Sequence, residues 1–195
     1  MNHEHTNTHV LDKVTFGFWV YLMSDCVLFA GLFATYAVLQ NATFGGPAIY
    51  DIASLPLVFV ETILLLTSSF TVGIGLLAAQ QNKKMLALGA LCATLLLGLS
   101  FLGMEISEFG KLITEGSGPD RSAFLSSFFT LVGTHGLHVF FGSVWMLVLG
   151  AHIIFKGITA GTLRKLTCLA LFWHFLDIIW IFIFTFVYLF GILAL

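Results

Sequence analysis

The sequence predicts an all-α integral membrane protein: a five-transmembrane-helix bundle with its N-terminus cytoplasmic and its C-terminus periplasmic. Three observations carry that prediction. First, 58% of the 195 residues are hydrophobic and only 9% are charged, against about a quarter charged in an ordinary soluble domain. So little polar surface cannot cover a water-facing globule, and lipid must be the solvent for most of it. Second, the apolar residues fall into five long runs, at about 17–40, 57–80, 85–109, 125–155 and 166–193. A hydrocarbon core of about 30 Å takes about 20 helical residues, and each run is long enough. Third, the basic residues alternate by side. Lys13, Lys83, Lys84, Lys156, Arg164 and Lys165 fall on one side, and only Lys111 and Arg121 fall on the other. The positive-inside rule puts the richer side in the cytoplasm.

Residues 1–16 form a polar N-terminal tail containing His3, His5 and His9. It reads as a short disordered segment in preference to a metal site. The run after it carries Asp25 and lacks a small-residue cleavage site, so it is a retained first span and not a signal core. Gly45, Gly46, Pro47 and Pro56 punctuate the first connection. Residues 81–84 make a tight Gln-Asn-Lys-Lys turn. The third connection holds Gly116, Gly118 and Pro119, and Ser122 is placed to cap the fourth span. No internal repeat and no separate soluble domain is visible, so 17–195 reads as one transmembrane domain.

The net charge of -2 points to no acidic or basic partner, and no Lys/Arg run points to nucleic acid. Cys26, Cys92 and Cys168 lie in apolar stretches. They read as small buried hydrophobes and not as a disulfide framework.

The informative residues are the ionisable ones inside the spans: Asp25, Glu61, Glu105, Glu108, His135, His138, His174 and Asp177. A charged carboxylate at mid-bilayer costs about 2.5–3.5 kcal/mol on insertion scales. These groups must therefore face protein or water and not acyl chains. Counting along the helices puts Asp25, His135, His174 and Asp177 in one mid-depth layer, and Glu61, Glu105 and Glu108 in a second layer near the outer surface. Glu105 with Glu108, His135 with His138, and His174 with Asp177 are i,i+3 pairs, so each pair shares a helix face. That spacing builds metal and haem sites in helical bundles. It equally builds an intramembrane polar network that fixes helix register. Asp25 suits a proton relay or ion site, or a structural pairing with His174 or Ser24. Gly133, Gly136 and Gly142 mark a close helix contact around the histidines. Trp19, Trp145, Trp173 and Trp180 serve as interface anchors or core.

Four stretches carry a family resemblance: Gly17-Phe-Trp-Val-Tyr-Leu-Met-Ser24-Asp25, Gly103-Met-Glu105-Ile-Ser-Glu108-Phe, Gly133-Thr-His135-Gly-Leu-His138-Val, and Trp173-His174-Phe-Leu-Asp177-Ile-Ile-Trp180. Together they resemble subunit III of the haem-copper respiratory oxidases, from about residue 16 to the C-terminus. The branch most similar is the bo-type ubiquinol oxidase, because five spans are present where cytochrome c oxidases usually have seven, and because Ser24-Asp25 stands where many relatives have a glutamate. The resemblance implies an accessory, non-redox subunit of a proton-pumping ubiquinol:oxygen oxidoreductase in the bacterial inner membrane. It implies that haems and copper reside in subunit I, with none bound by this chain. It also implies phospholipids between the helices, and subunit I and a small subunit IV as partners. The family's intramembrane carboxylate maps onto Asp25. On this reading the eight ionisable residues form a polar network and not a metal centre. Two other classes stand beside it: an independent membrane haem or metal protein using the His pairs, and a small proton or ion transporter centred on Asp25.

Overall fold

A chain segment crossing hydrocarbon must satisfy its own backbone hydrogen bonds, so the apolar runs become helices. The computed structural model describes the backbone of residues 2–193 and the side chains of residues 14–192. In chain order it contains α1 (Asn2–Leu39), α2 (Ile49–Ile52), α3 (Leu55–Gln80), α4 (Lys84–Thr114), α5 (Ala123–Lys156) and α6 (Ala160–Ile183). A π-helical turn (Phe184–Leu189) and α7 (Phe190–Leu193) continue α6. No strand occurs among the described residues. Five stretches are long and apolar enough to cross a membrane: Val14–Leu39, Leu55–Gln80, Lys84–Thr114, Ala123–Lys156 and Ala160–Ile192.

The helix already begins at Asn2. The polar segment expected to be a disordered tail therefore leads directly into α1. No Gly or Pro precedes Gly17 to break it. The side chains of His3, His5, His9 and Lys13 lie outside the described residues.

The helix ends follow local chemistry. Asn82 adopts the left-handed conformation after α3 (φ 56°). Lys83 N donates to Ala78 O at 2.9 Å, and Asn82 N to Ala79 O at 3.0 Å. This is the Schellman pair of bonds, which satisfies carbonyls the helix leaves open. Gly116 (φ 78°) does the same for α4, where Ser117 N reaches Leu112 O at 2.8 Å and Gly116 N reaches Ile113 O at 3.1 Å. Ser122 caps α5, its hydroxyl accepting from Leu125 N at 3.1 Å. Pro56 sits in the first turn of α3, where a missing N–H costs nothing.

Helix α6 is the centre of the bundle. It packs against α1, α3 and α5, and α3 and α4 form an extensive antiparallel hairpin beside it. α1 rests on α5 and α6. Trp173 and Trp180 are both buried at 1% exposure, so they are core and not interface anchors, while Trp19 is exposed. The close approach around Trp173 is made by two glycines. A Cβ at Gly142 would lie 3.1 Å from Phe172 and Trp173, and a Cβ at Gly98 would lie 2.8 Å from Trp173. Gly133 and Gly136 leave ordinary contact distances to Phe109 and Leu102.

The expectation that all three cysteines are buried is corrected. Only Cys168 is buried; Cys26 and Cys92 are exposed on helix faces. Their apolar sequence context reflects a lipid- or subunit-facing surface, where Val38, Phe70, Leu96, Ile106 and Phe155 are also exposed. In a membrane chain, apolar surroundings do not imply an interior position.

Replacing Gly98 with Ala forces its methyl against a ring that cannot retreat. Gly98→Ala is expected to destabilise the folded chain by about 1–3 kcal/mol, read as a lowered thermal unfolding midpoint in detergent. Gly89→Ala, whose Cβ meets nothing, is the control and should not lower the midpoint, since Ala favours the helix over Gly.

Candidate functional site

The eight ionisable side chains that the sequence singles out within the spans are all buried or half-buried. Glu61 and His135 are at 0% exposure, Glu105 at 3%, Asp177 at 5% and Asp25 at 7%. The four expected in one mid-depth layer, Asp25, His135, His174 and Asp177, are not joined to one another by hydrogen bonds: Asp25 lies near His138, His174 meets Ser69, and His135 is unbonded. Three separate arrangements occur instead.

The first lies between α1 and α5. Asp25 Oδ2 is 3.9 Å from His138 Nε2, near but beyond hydrogen-bond length. His138 Nδ1 is 2.8 Å from Thr134 O on its own helix, so that nitrogen carries the proton and donates. The expected partners of Asp25, His174 and Ser24, are engaged elsewhere. Ser24 Oγ donates to Tyr21 O at 2.6 Å, one turn back on α1. His135, on the same face as His138, has neither ring nitrogen bonded. It sits among Phe29, Phe101 and Trp180, whose ring centroids are 6.4, 5.9 and 5.2 Å away.

The second arrangement joins α3 to α6. Trp180 Nε1 donates to Thr62 Oγ1 at 3.0 Å, and Trp173 Nε1 to Ser68 Oγ at 2.9 Å. Ser69 Oγ and His174 Nδ1 are 2.6 Å apart. The two helices run antiparallel: Thr62 meets Trp180, and Ser68 and Ser69, further along α3, meet Trp173 and His174, nearer the start of α6. Thr62 and Ser68 pass their own protons to Val58 O (2.8 Å) and Leu65 O (2.7 Å). Each hydroxyl therefore both donates and accepts, and no polar hydrogen is stranded. Thr71 and Thr94 add a hydroxyl pair at 2.8 Å between α3 and α4.

The third arrangement is acidic. Glu61 from α3, Glu105 and Glu108 from α4, and Tyr188 from the π-helical turn each bury an oxygen that has no hydrogen-bond partner. Sequence counting placed the three glutamates together at this end. It did not include Tyr188, because the π-helical turn shifts that side chain off the regular helix face. Among the described residues, no three His, Cys, Asp or Glu side chains converge as a metal-ion site.

A cleft of about 880 Å³ opens between α1 and the C-terminal end of the fifth span, lined by Ala30, Phe33, Ala37, Tyr50, Phe182 and Phe186. Its walls are largely apolar, which suits an acyl chain more than a polar ligand.

The family model for cytochrome c oxidase subunit III matches residues 1–192. The cytochrome bo(3) ubiquinol oxidase subunit 3 of Pseudomonas aeruginosa is 58% identical over 194 residues, covering 99% of this chain and 93% of the relative. The chain belongs to the cytochrome c oxidase subunit III family. Among other members similar to it, the cytochrome bo(3) ubiquinol oxidase subunit 3 of Buchnera aphidicola subsp. Baizongia pistaciae is 45% identical over 185 residues, covering 95% of each chain. The cytochrome c oxidase subunit 3 of Bacillus sp. (strain PS3) is 44% identical over 181 residues, covering 91% of this chain and 86% of the relative.

Sequence reasoning about this subunit III chain singled out charged and imidazole groups and passed over the hydroxyls. Thr62, Ser68 and Ser69 supply the acceptors and partners that tie α6 down, yet a Ser or Thr in a span carries no signal by itself. The register relating residues 62–69 to 173–180 becomes visible only once the two helices are known to be neighbours.

Thr62→Val keeps the shape of the side chain and leaves the buried Trp180 N–H without an acceptor. A loss of about 1 kcal/mol is expected, measured by denaturant titration in mixed micelles, with Thr62→Ser restoring most of it. Equal stability of Thr62→Val and the parent would show that the indole is satisfied elsewhere.

Proposed function

We propose that this subunit III chain is the accessory, non-redox subunit of a bo-type terminal oxidase, a proton-pumping ubiquinol:oxygen oxidoreductase of aerobic respiration. The observation that carries the proposal is the near full-length identity of 58% to a subunit named for ubiquinol oxidation. A multi-pass position in the bacterial inner membrane follows from the five apolar helices and the bacterial relatives. The chain works in a complex with other oxidase subunits, and the exposed apolar helix faces supply surface for them and for lipid.

The finer assignments belong to the same proposal. Subunit I is the main contact and holds the haems and copper; a small subunit IV is a further neighbour. Phospholipid acyl chains occupy the cleft between α1 and the end of the fifth span, supported by its apolar lining. The N-terminus faces the cytoplasm and the C-terminus the periplasm, supported by the Lys and Arg distribution. The role of the chain is to support assembly, lipid binding and stability of the catalytic subunit. The eight intramembrane residues act as packing and register groups.

Purification through a tag on this chain is expected to bring down haem-bearing partners with ubiquinol oxidase activity, while the chain isolated from them has neither haem absorbance nor turnover. In the same cells before solubilisation, an impermeant thiol reagent should reach Asp120→Cys and not Asn82→Cys. A chain that folds alone and holds stoichiometric haem would overturn the proposal in favour of an independent haem protein.

A further inference from the structure

Leu88, Leu91 and Leu95 on α4 and Leu147, Gly150 and Ile154 on α5 follow the same spacing, so each set shares one helix face. Where α4 and α5 pack, the two faces line a groove of about 410 Å³. It runs about 10 Å along the helices, and it shares no residue with the cleft beside α1. Every residue lining it is apolar. The groove stays open because α5 has no side chain at its middle: a Cβ at Gly150 would meet no atom within 4 Å.

One end of this groove is basic. Lys84 stands one turn before Leu88, at the first residue of α4, and Lys156 stands two residues after Ile154, at the last residue of α5. Both therefore sit where their spans leave hydrocarbon, at the depth of lipid headgroups. Lys84 is fixed there. Its Nζ donates to Ile154 O at 2.9 Å, which closes an open carbonyl at the end of α5 and leaves two ammonium hydrogens for another acceptor. Lys84 is half-buried, while Lys83 and Lys156 are exposed. No carboxylate offsets this charge from the helices around it, because residues 62–104 and 121–176 contain no Asp or Glu.

We propose that the α4–α5 groove is a binding site for an anionic phospholipid, with an acyl chain in the trough and the phosphate on Lys83, Lys84 and Lys156. The two parts of the site match the two parts of that ligand: a hydrocarbon slot, and above it cations that lack a counter-charge. Basic residues at a membrane surface attract anionic headgroups, and the ammonium held by Ile154 places one of them directly over the slot. A transmembrane helix of another subunit fits less well, since it would have to bring its own carboxylates to headgroup depth. The site rests on the membrane position of the chain and is independent of the role assigned to the complex.

The test is photolabelling of the intact complex in vesicles, with phosphatidylglycerol or phosphatidylcholine carrying a diazirine in an acyl chain, and labelled residues located by mass spectrometry. Phosphatidylglycerol should label residues 88–95 and 146–154 at least about fivefold more than phosphatidylcholine, the effect of one favourable lysine contact. Lys83→Gln with Lys84→Gln should bring the two lipids to the same level, and Gln at 84 keeps an N–H for Ile154 O. Gly150→Leu leaves every charge in place and fills the slot, so it should remove labelling by both lipids there. Equal labelling by the two lipids in the parent would overturn the proposal, as would a preference that survives the paired Gln substitutions. Labelling elsewhere on the complex with none in the groove would overturn it too, because another subunit would then be the occupant.

Discussion

The hydrogen bonds between α3 and α6 set the architecture of this subunit. In lipid there is no hydrophobic force to drive one apolar helix onto another, so close packing and interhelical hydrogen bonds decide how helices meet. Trp180 on Thr62, Trp173 on Ser68 and His174 on Ser69 are three such bonds along the seam between these antiparallel helices. A sliding of α6 by one residue would break all of them together. Trp173 also fills the gap left by Gly98 and Gly142, so the same residue that fixes register fixes the spacing of α4 and α5.

With α6 fixed, the other elements follow. α5 packs against it and brings His135 and His138 toward α1, which is why Asp25 faces His138 and not His174. The π-helical turn carries the end of the fifth span against α3 and buries Tyr188 there. α1 closes the bundle from one side only. Its outer face stays apolar and exposed, with Phe16, Val27 and Val38 pointing away from the chain. An oxidase subunit needs such a surface, since lipid and neighbouring subunits both have to meet it.

Much of this was legible in the sequence. Five spans follow from hydropathy because a helix in hydrocarbon has no alternative, and Gly116 and Ser122 mark real helix ends because turn and cap chemistry are local. The burial of Asp25, Glu61, Glu105 and Asp177 follows from the cost of charge in lipid. Partner choice was not legible. Asp25 was expected against His174 or Ser24, but depth along a helix does not say which way a side chain points around it. Gly98 gave no more signal than Gly89 or Gly103, since its meaning comes from a tryptophan on another helix. Tyr188 was missed because a π-helical turn leaves no pattern in composition or periodicity. Cys26 and Cys92 misled because apolar context marks the interior in water and the exterior in lipid.

The central claim, that α3 and α6 are held in register by specific side-chain pairs, is tested most directly by a double-mutant cycle on Ser69→Ala and His174→Leu, with unfolding free energies measured in mixed micelles. Paired residues predict a coupling energy of about 0.6–1.7 kcal/mol. Strictly additive losses would contradict the account, because they would mean that the two side chains lie side by side without holding the helices together.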